Sequence, residues 1–250
     1  EIAHRGGQLR EGQAEAAESM AELESLAKAA GAKIVRSVFQ TRAAADARTF
    51  IGPGKVEELK ALRAETKADL ILFDQDLKPS QQRSLEESLE ARVLDRTQLI
   101  LDIFARRARS NEGKLQVALA QLSYLLPRLT GKGKAMSRLG GGIGTRGPGE
   151  TKLESDRRRI EIRIVKIKRE LRAVAKRRSG QRRSRKESLV PTVALVGYTS
   201  VGKSTLFNRL AGETAFTSPQ LFATLDPLVR RTSLPDGLPY FLSDTVGFVK

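Results

Sequence analysis

Residues 192–212 read TVALVGYTSVGKSTLFNRLAG, and no other stretch limits the fold as tightly. Residues 192–196 are β-branched and aliphatic, the composition of a buried strand. Gly197, Gly202, Lys203 and Ser204 then fill the pattern G-x-x-x-x-G-K-[ST] without a mismatch, and residues 205–210 open a helix. The glycines let backbone wrap a phosphate with successive N–H groups pointing inward. The helix N-terminus adds donors and the positive end of its dipole. Lys203 is placed to reach β- and γ-phosphates, and the Ser204 hydroxyl to ligate Mg²⁺. An ordinary glycine turn would need none of this order. The stretch is therefore expected to cradle a nucleotide through Gly197, Tyr198, Thr199, Ser200, Val201, Gly202, Lys203, Ser204 and Thr205.

Composition narrows the remaining chemistry. The chain of 250 residues has no cysteine and a single histidine, His4, so thiolate metal sites and histidine-based triads are excluded. Lack of cysteine fits a reducing compartment. No apolar run approaches the ~20 residues needed to cross a bilayer, and no signal peptide is visible, so a cytoplasmic protein is expected.

The net charge of +16 is unevenly placed. Residues 1–130 carry 20 basic and 19 acidic side chains, and residues 191–250 carry 5 and 4. Residues 131–190 carry 20 against 6, a local net charge of +14. A solvated helix face usually mixes signs, whereas concentration in one segment is the footprint of a nucleic-acid-binding element.

Taken in order, residues 1–30 are expected to be mostly helical, with Ala14, Ala17, Met20, Leu23 and Leu26 on one stripe and Gly31 as the stop. Residues 32–39 (AKIVRSVF) read as a strand and residues 41–49 as a mobile loop. Gly52-Pro53-Gly54-Lys55 reads as a turn into a helix over about 56–66, since a second phosphate loop would need fuller spacing and a Ser or Thr after the lysine. Residues 69–73 read as a buried strand, 79–90 as a helix, 93–94 as a short strand and 96–109 as a helix. This alternation predicts a small α/β domain with a largely parallel sheet over residues 1–110.

Leu115, Leu119, Leu122, Leu126 and Leu129 are spaced 4-3-4-3, as are Ile160, Ile164, Ile167, Leu171 and Val174. Two such stripes predict an antiparallel helical hairpin over residues 111–188, with a second helix over 155–176 and Pro127 kinking or ending the first near its tip. Between them, residues 131–149 hold eight glycines interleaved with Lys132, Lys134, Arg138 and Arg146, with Lys152 just beyond. Plain linkers favour Gly and Ser, so a basic, mobile tip that approaches RNA is expected. The run RRSGQRRSRK reads as a linker into the nucleotide domain at 189–250.

In that domain, strands over 228–234 and 240–242 are expected around a Pro235-Asp236-Gly237 turn. The second strand ends in Asp244-Thr245-Val246-Gly247. Asp244 is placed to hold Mg²⁺ through water, Gly247 to meet a γ-phosphate, and Thr224 to close on the same Mg²⁺. P-loop, threonine and D-x-x-G in this order are the switch layout of a translation-factor-class GTPase rather than of an ATP-dependent kinase.

The resemblance then becomes specific. FIGPGKVEEL (50–59), VLDRTQLILDIFARRARSNEGKLQVALAQLSYLLPRL (93–129), GGGIGTRGPGETKLESDRRRI (140–160), VALVGYTSVGKSTLFNRL (193–210), LFATLDP (221–227) and DTVGF (244–248) resemble the HflX-type GTPases of the Obg–HflX group, in order and along nearly the whole chain. The resemblance implies GTP hydrolysis with Mg²⁺, binding to the large ribosomal subunit and its rRNA through the basic hairpin, and splitting or rescue of stalled ribosomes. It implies a monomer whose glycine-rich tip reaches towards the peptidyl-transferase centre.

Carried over by motif, Phe222, Ala223, Thr224, Leu225 and Asp226 form the first switch, and Asp244, Thr245, Val246 and Gly247 the second. Ser204, Thr224 and Asp244 would serve the metal, with Lys203 and Thr224 in the catalytic role. Phe248 stands where many GTPases place a glutamine that orients water; phenylalanine has no polar atom for this, so slow intrinsic hydrolysis stimulated by the ribosome is expected. The chain starts at Glu1 and ends at Lys250 with no N-K-x-D stretch, so a fragment of a longer GTPase is expected, with its guanine selectivity resting on resemblance. Two other readings remain at this point: an RNA-binding module without catalysis, and an ATP-using P-loop enzyme.

Overall fold

The computed structural model describes residues 2–42, 44–129, 152–187, 190–199, 201–212, 222 and 228–248. The glycine-rich tip at 131–149 and most of the first switch, residues 223–226, lie outside these described residues. Two compact units emerge, one built mainly from residues 1–103, the other mainly from 104–217 and 223–247.

The first unit opens with helix α1 (Ile2–Ala29), which ends where Gly31 adopts φ 85°. The expected stripe packs only at its C-terminal end: Leu23, Leu26 and Ala27 are buried, while Ala14 and Ala17 are exposed. Helix α2 (Pro53–Thr66) follows Gly52 with proline in its first turn, as the G-P-G-K reading requires. Strand β1 (Leu70–Phe73), helix α3 (Pro79–Leu89) and strand β2 (Arg92–Asp95) then form a parallel crossover unit, registered from Leu70 opposite Arg92 to Phe73 opposite Asp95. Val56, Phe73, Leu77, Leu85, Leu89 and Val93 make its core. Buried Asp95 ends β2 and accepts hydrogen bonds from the amides of Leu77 (3.2 Å) and Gln98 (2.9 Å), the latter starting helix α4 (Arg96–Arg107).

Two expectations for this unit are corrected. Residues 32–39 form no strand: the β1–β2 sheet has two strands, and Val35 and Phe39 leave about half their surface exposed (50% and 52%). Polar anchors hold the segment elsewhere, with the Ser37 hydroxyl donating to Glu24 of α1 (2.6 Å) and Gln40 Oε1 accepting from the Gly52 amide (3.0 Å). A cavity of about 720 Å³ lies among α1, this segment, α2 and β1. The stretch before Phe50, expected as a loose loop, is organised by Asp46, whose Oδ1 accepts from the amides of Arg48 and Thr49, both at 2.9 Å. Those backbone donors hold the Asp46 carboxyl below its ordinary pKa.

In the second unit, helix α5 (Asn111–Leu125) is capped by Ser110, whose hydroxyl accepts from the Gly113 amide at 2.9 Å. A 3₁₀ turn (Leu126–Leu129) containing Pro127 ends it. Helix α6 (Lys152–Glu187) packs against α5 and buries Ile164 and Ile167. Glu112 at the start of α5 pairs with Arg178 late in α6 at 2.6 Å, so the two helices run antiparallel. On α5 the buried positions are Gly113 and Val117, with Leu115, Leu119 and Leu122 half-buried beside them.

The length of α6 corrects the linker reading. It runs for 36 residues, about 54 Å at 1.5 Å per residue, through the basic run expected to connect domains. Arginine, lysine and glutamine are good helix formers, and extending an existing helix avoids the cost of nucleation.

The nucleotide part carries strands β3 (Thr192–Leu195), β4 (Leu228–Ser233) and β5 (Pro239–Asp244) and helix α7 (Lys203–Ala211). The sheet order is β3-β5-β4, with β3 parallel and β4 antiparallel to β5. The expected turn joins β4 to β5, with Gly237 at φ 86° donating to the Leu234 carbonyl at 2.9 Å. Helix α7 packs on β5 and β4. Its Phe207 is fully buried, as is Leu242 of β5.

Candidate nucleotide-binding site

Parallel pairing of β3 and β5 decides what stands near the loop. Leu195 is in register with Asp244, so the strand that feeds the glycine loop ends beside the strand that feeds D-x-x-G. The Thr245 hydroxyl donates to the Leu195 carbonyl at 2.6 Å and ties the two ends together. Ligands of open α/β sheets bind at such carboxyl ends of neighbouring parallel strands.

The loop closes onto α7 through Gly202 at φ 92°, a conformation that disfavours any side chain. The first helical bond runs from the Leu206 amide to the Gly202 carbonyl at 2.9 Å. The amides of Lys203, Ser204 and Thr205 precede that bond and lie in the first turn, where a helix presents donors to an anion. Lys203 Nζ donates to the Tyr198 carbonyl at 2.5 Å, so the ammonium lies folded across the loop itself.

The Ser204 hydroxyl donates to Asp244 Oδ2 at 2.6 Å, and Asp244 is buried. A hydroxyl and a carboxylate from two motifs thus converge on one point at the loop's helical side. Both are hard oxygen donors, the kind Mg²⁺ takes in small number while phosphates and water complete its octahedron.

Gly247 closes the site from the other motif. A Cβ built there would stand 2.8 Å from both the Cα and the amide nitrogen of Thr199, so D-x-x-G backbone lies directly on the glycine loop. Gly197 is also tight, its notional Cβ 3.3 Å from Val201 Cγ2.

The structure thus brings Tyr198, Lys203, Ser204 and Asp244 together through hydrogen bonds and sets Gly247 against Thr199. Val201 and Gly202 complete the described loop, Thr205 lies in the first turn of α7, and Val246 precedes Gly247. Ser200, Ala223, Thr224, Leu225 and Asp226 lie outside the described residues. Phe222 is buried, at φ 57°. Phe248 is exposed. Leu195 escaped the sequence reading, because its carbonyl makes the contact and a carbonyl has no residue-type signature.

Another polar centre in the first unit was equally unforeseen. Arg96 donates to Asp74 (2.7 Å), Ser19 (3.1 Å) and Glu22, while the Ser19 hydroxyl donates to Asp74 at 2.5 Å. Burial works against the guanidinium charge, but the bonds to Asp74 and Glu22 outweigh it and hold the Arg96 pKa above its ordinary value. The cluster fastens α1 to the ends of β1 and β2.

Strand, glycine loop, helix N-terminus and a parallel neighbour ending in D-x-x-G define a P-loop nucleotide-binding domain of the α/β class. Three family models match the chain in succession: a GTP-binding GTPase N-terminal region over residues 17–105, a GTP-binding GTPase middle region over 107–185, and a 50S ribosome-binding GTPase over 192–250. Similar relatives include GTPase HflX of Alkalihalophilus pseudofirmus, 54% identical over 98% of this chain and 58% of its own length. GTPase HflX of Escherichia coli is 49% identical over 93% of this chain and 55% of its own. The chain belongs to the HflX family of P-loop GTPases. It spans little more than half the length of these relatives. A solved GTP-binding protein from Sulfolobus solfataricus, in complex with GDP, is 26% identical, covering 93% of this chain and 59% of its own with a TM-score of 0.47. Among the described residues no helix is long and apolar enough to cross a membrane.

Proposed function

We propose that the chain is the part of a GTP-binding and GTP-hydrolysing factor that recognises the large ribosomal subunit and helps split or rescue stalled ribosomes. The observation that carries the reading is the meeting of Ser204 and Asp244 at 2.6 Å across the glycine loop, because it joins the phosphate motif to the switch motif in one site. Relatives named GTPase HflX and a family described as 50S ribosome-binding support guanine nucleotide and ribosome as the two ligands.

In this reading the amides of the loop and the first turn of α7 bind the phosphates. Lys203 would leave the Tyr198 carbonyl and set its ammonium against the β- and γ-phosphate oxygens. Ser204 and Asp244, with Thr224 from the first switch, would hold Mg²⁺. When bound, Mg²⁺ neutralises charge that develops on the phosphate oxygens. Gly247 places its amide at the γ-phosphate and so reports whether that group is present. Phe248 supplies no polar atom towards water, so the ribosome supplies or orders the missing catalytic element. Segments 1–110, 111–188 and 189–250 divide the work: an accessory α/β domain, a hairpin whose cations and tip meet rRNA, and the nucleotide switch. The factor works in the cytoplasm as a monomer.

Co-sedimentation with isolated large ribosomal subunits near physiological salt tests this, with a GTP analogue, an ATP analogue and no nucleotide in parallel. Pelleting strengthened only by the GTP analogue, and abolished as a nucleotide effect by Lys203→Ala, is the expected result. Equal pelleting in all three would reduce the chain to an RNA-binding module. No pelleting would remove the ribosome from the reading.

A further inference from the structure

Helix α6 carries a second stripe that the α5 seam does not use. Arg158, Ile162, Val165, Arg169, Arg172 and Lys176 are spaced 4-3-4-3-4, which puts them on one face, nearly opposite the face of Ile164 and Ile167. Ile164 and Ile167 are buried at 9% and 5% exposure, whereas Ile162 and Val165 stand out at 62% and 68%. Both are β-branched residues, which helices favour weakly, set at the centre of a cationic surface.

None of these six side chains is acidic, and Glu154 lies one turn before Arg158 at the N-terminal end of the face. Beside the face, Glu161 pairs with Arg157 at 3.0 Å and Asp156 with Arg159 at 3.5 Å. The face is therefore an apolar pair with arginines and lysine above and below it, repeated at heptad spacing.

We infer that this outer face of α6 docks against a protein surface of the large ribosomal subunit, one that offers apolar side chains flanked by Asp or Glu. The inference rests on the ribosome reading above and refines it, since a basic helix on a ribosome would otherwise be assigned to rRNA throughout. Phosphates reward the cations and give nothing to isoleucine or valine. Single-stranded bases stack on aromatic rings, and α6 has none among its residues. A helix with apolar residues at the seam and acids on its flanks uses every member of the stripe, by knobs-into-holes contact and by opposite charge. A second copy of the same stripe would set arginine against arginine and is disfavoured.

The test uses the whole chain carrying Ile162→Gln with Val165→Gln, both exposed positions and both changes to a good helix former. Its affinity for intact large subunits and for large-subunit RNA stripped of protein is compared with that of the parent chain, each across a salt series. The expected result is roughly tenfold weaker binding to intact subunits, as for truncation of interface anchors, with unchanged salt slope and unchanged binding to the stripped RNA. Unaltered binding to intact subunits overturns the inference. An equal loss on stripped RNA also overturns it and gives the face to RNA. If the parent itself fails to bind subunits, the ribosome reading falls and takes this inference with it, an outcome distinct from the other two.

Discussion

At Gly247 the constraint is space rather than backbone conformation. Its notional Cβ would meet Thr199 main-chain atoms at 2.8 Å, closer than real Cβ contacts allow, and main chain yields less readily than a side-chain tip. Gly247→Ala is therefore expected to push the second switch off the loop, lowering stability by about 1–3 kcal/mol as overpacking does. It should weaken GTP-analogue binding more than GDP binding, because its amide is assigned to the γ-phosphate. Thermal melts and fluorescent-nucleotide titrations check both, and an unchanged ratio of the two affinities would release Gly247 from that role. Ser204 offers a different readout. In the parent chain nucleotide affinity should fall when Mg²⁺ is chelated; in Ser204→Ala it should already be low and respond little to chelator. Lys203, Ser204 and Asp244 could all be read from motif spacing, because charge and hydroxyl chemistry belong to residue type. Their detailed company could not. Lys203 rests on the carbonyl of Tyr198, and Thr245 on that of Leu195. Any residue would supply those oxygens, so only the fold shows them.

Among the elements, α6 separates what periodicity reveals from what it conceals. The 4-3-4-3 stripe announced a helix packed on α5, and Ile164 and Ile167 are indeed buried there. The stripe ends at Val174, yet the helix continues to Glu187, because arginine, lysine and glutamine propagate a helix without needing a seam. The opposite failure occurred at residues 32–39, where the run AKIVRSVF read as a strand. Ser37 and Gln40 instead spend their hydrogen bonds on α1 and the Gly52 amide, and strand propensity without a paired neighbour decides little. Gly180 gives a clean test of the extension. It lies inside α6, and an added Cβ there would meet nothing within 4 Å. Gly180→Ala should stabilise the helix by roughly 0.5–1 kcal/mol, seen as a small gain in helical circular dichroism and a higher melting temperature. A loss of helicity would mean that this stretch is the linker its composition first suggested.

For the molecule as a whole, the decisive quantity is where the charge sits. A net charge of +14 in residues 131–190 adjoins two segments that are close to neutral, at 20 basic against 19 acidic and 5 against 4. Binding to a polyanion should then depend on salt through the hairpin alone. Each phosphate contact contributes about 0.7–0.9 to the slope of log affinity against log salt. Lys166 and Lys168 are exposed on α6 and lie to either side of the Ile162–Val165 stripe. Changing both to glutamine should lower the slope for large-subunit binding by roughly 1.5 if each contacts a phosphate. Arg230 and Arg231 are exposed on β4 of the nucleotide part, and replacing that pair should leave the slope where it was. The comparison holds net charge change constant at two units and varies only position. Equal reductions from both pairs would mean that overall charge, and not the hairpin, draws the chain to RNA. A reduction confined to the α6 pair would make the helix the RNA-tracking element, with its two exposed aliphatic residues left for a protein neighbour.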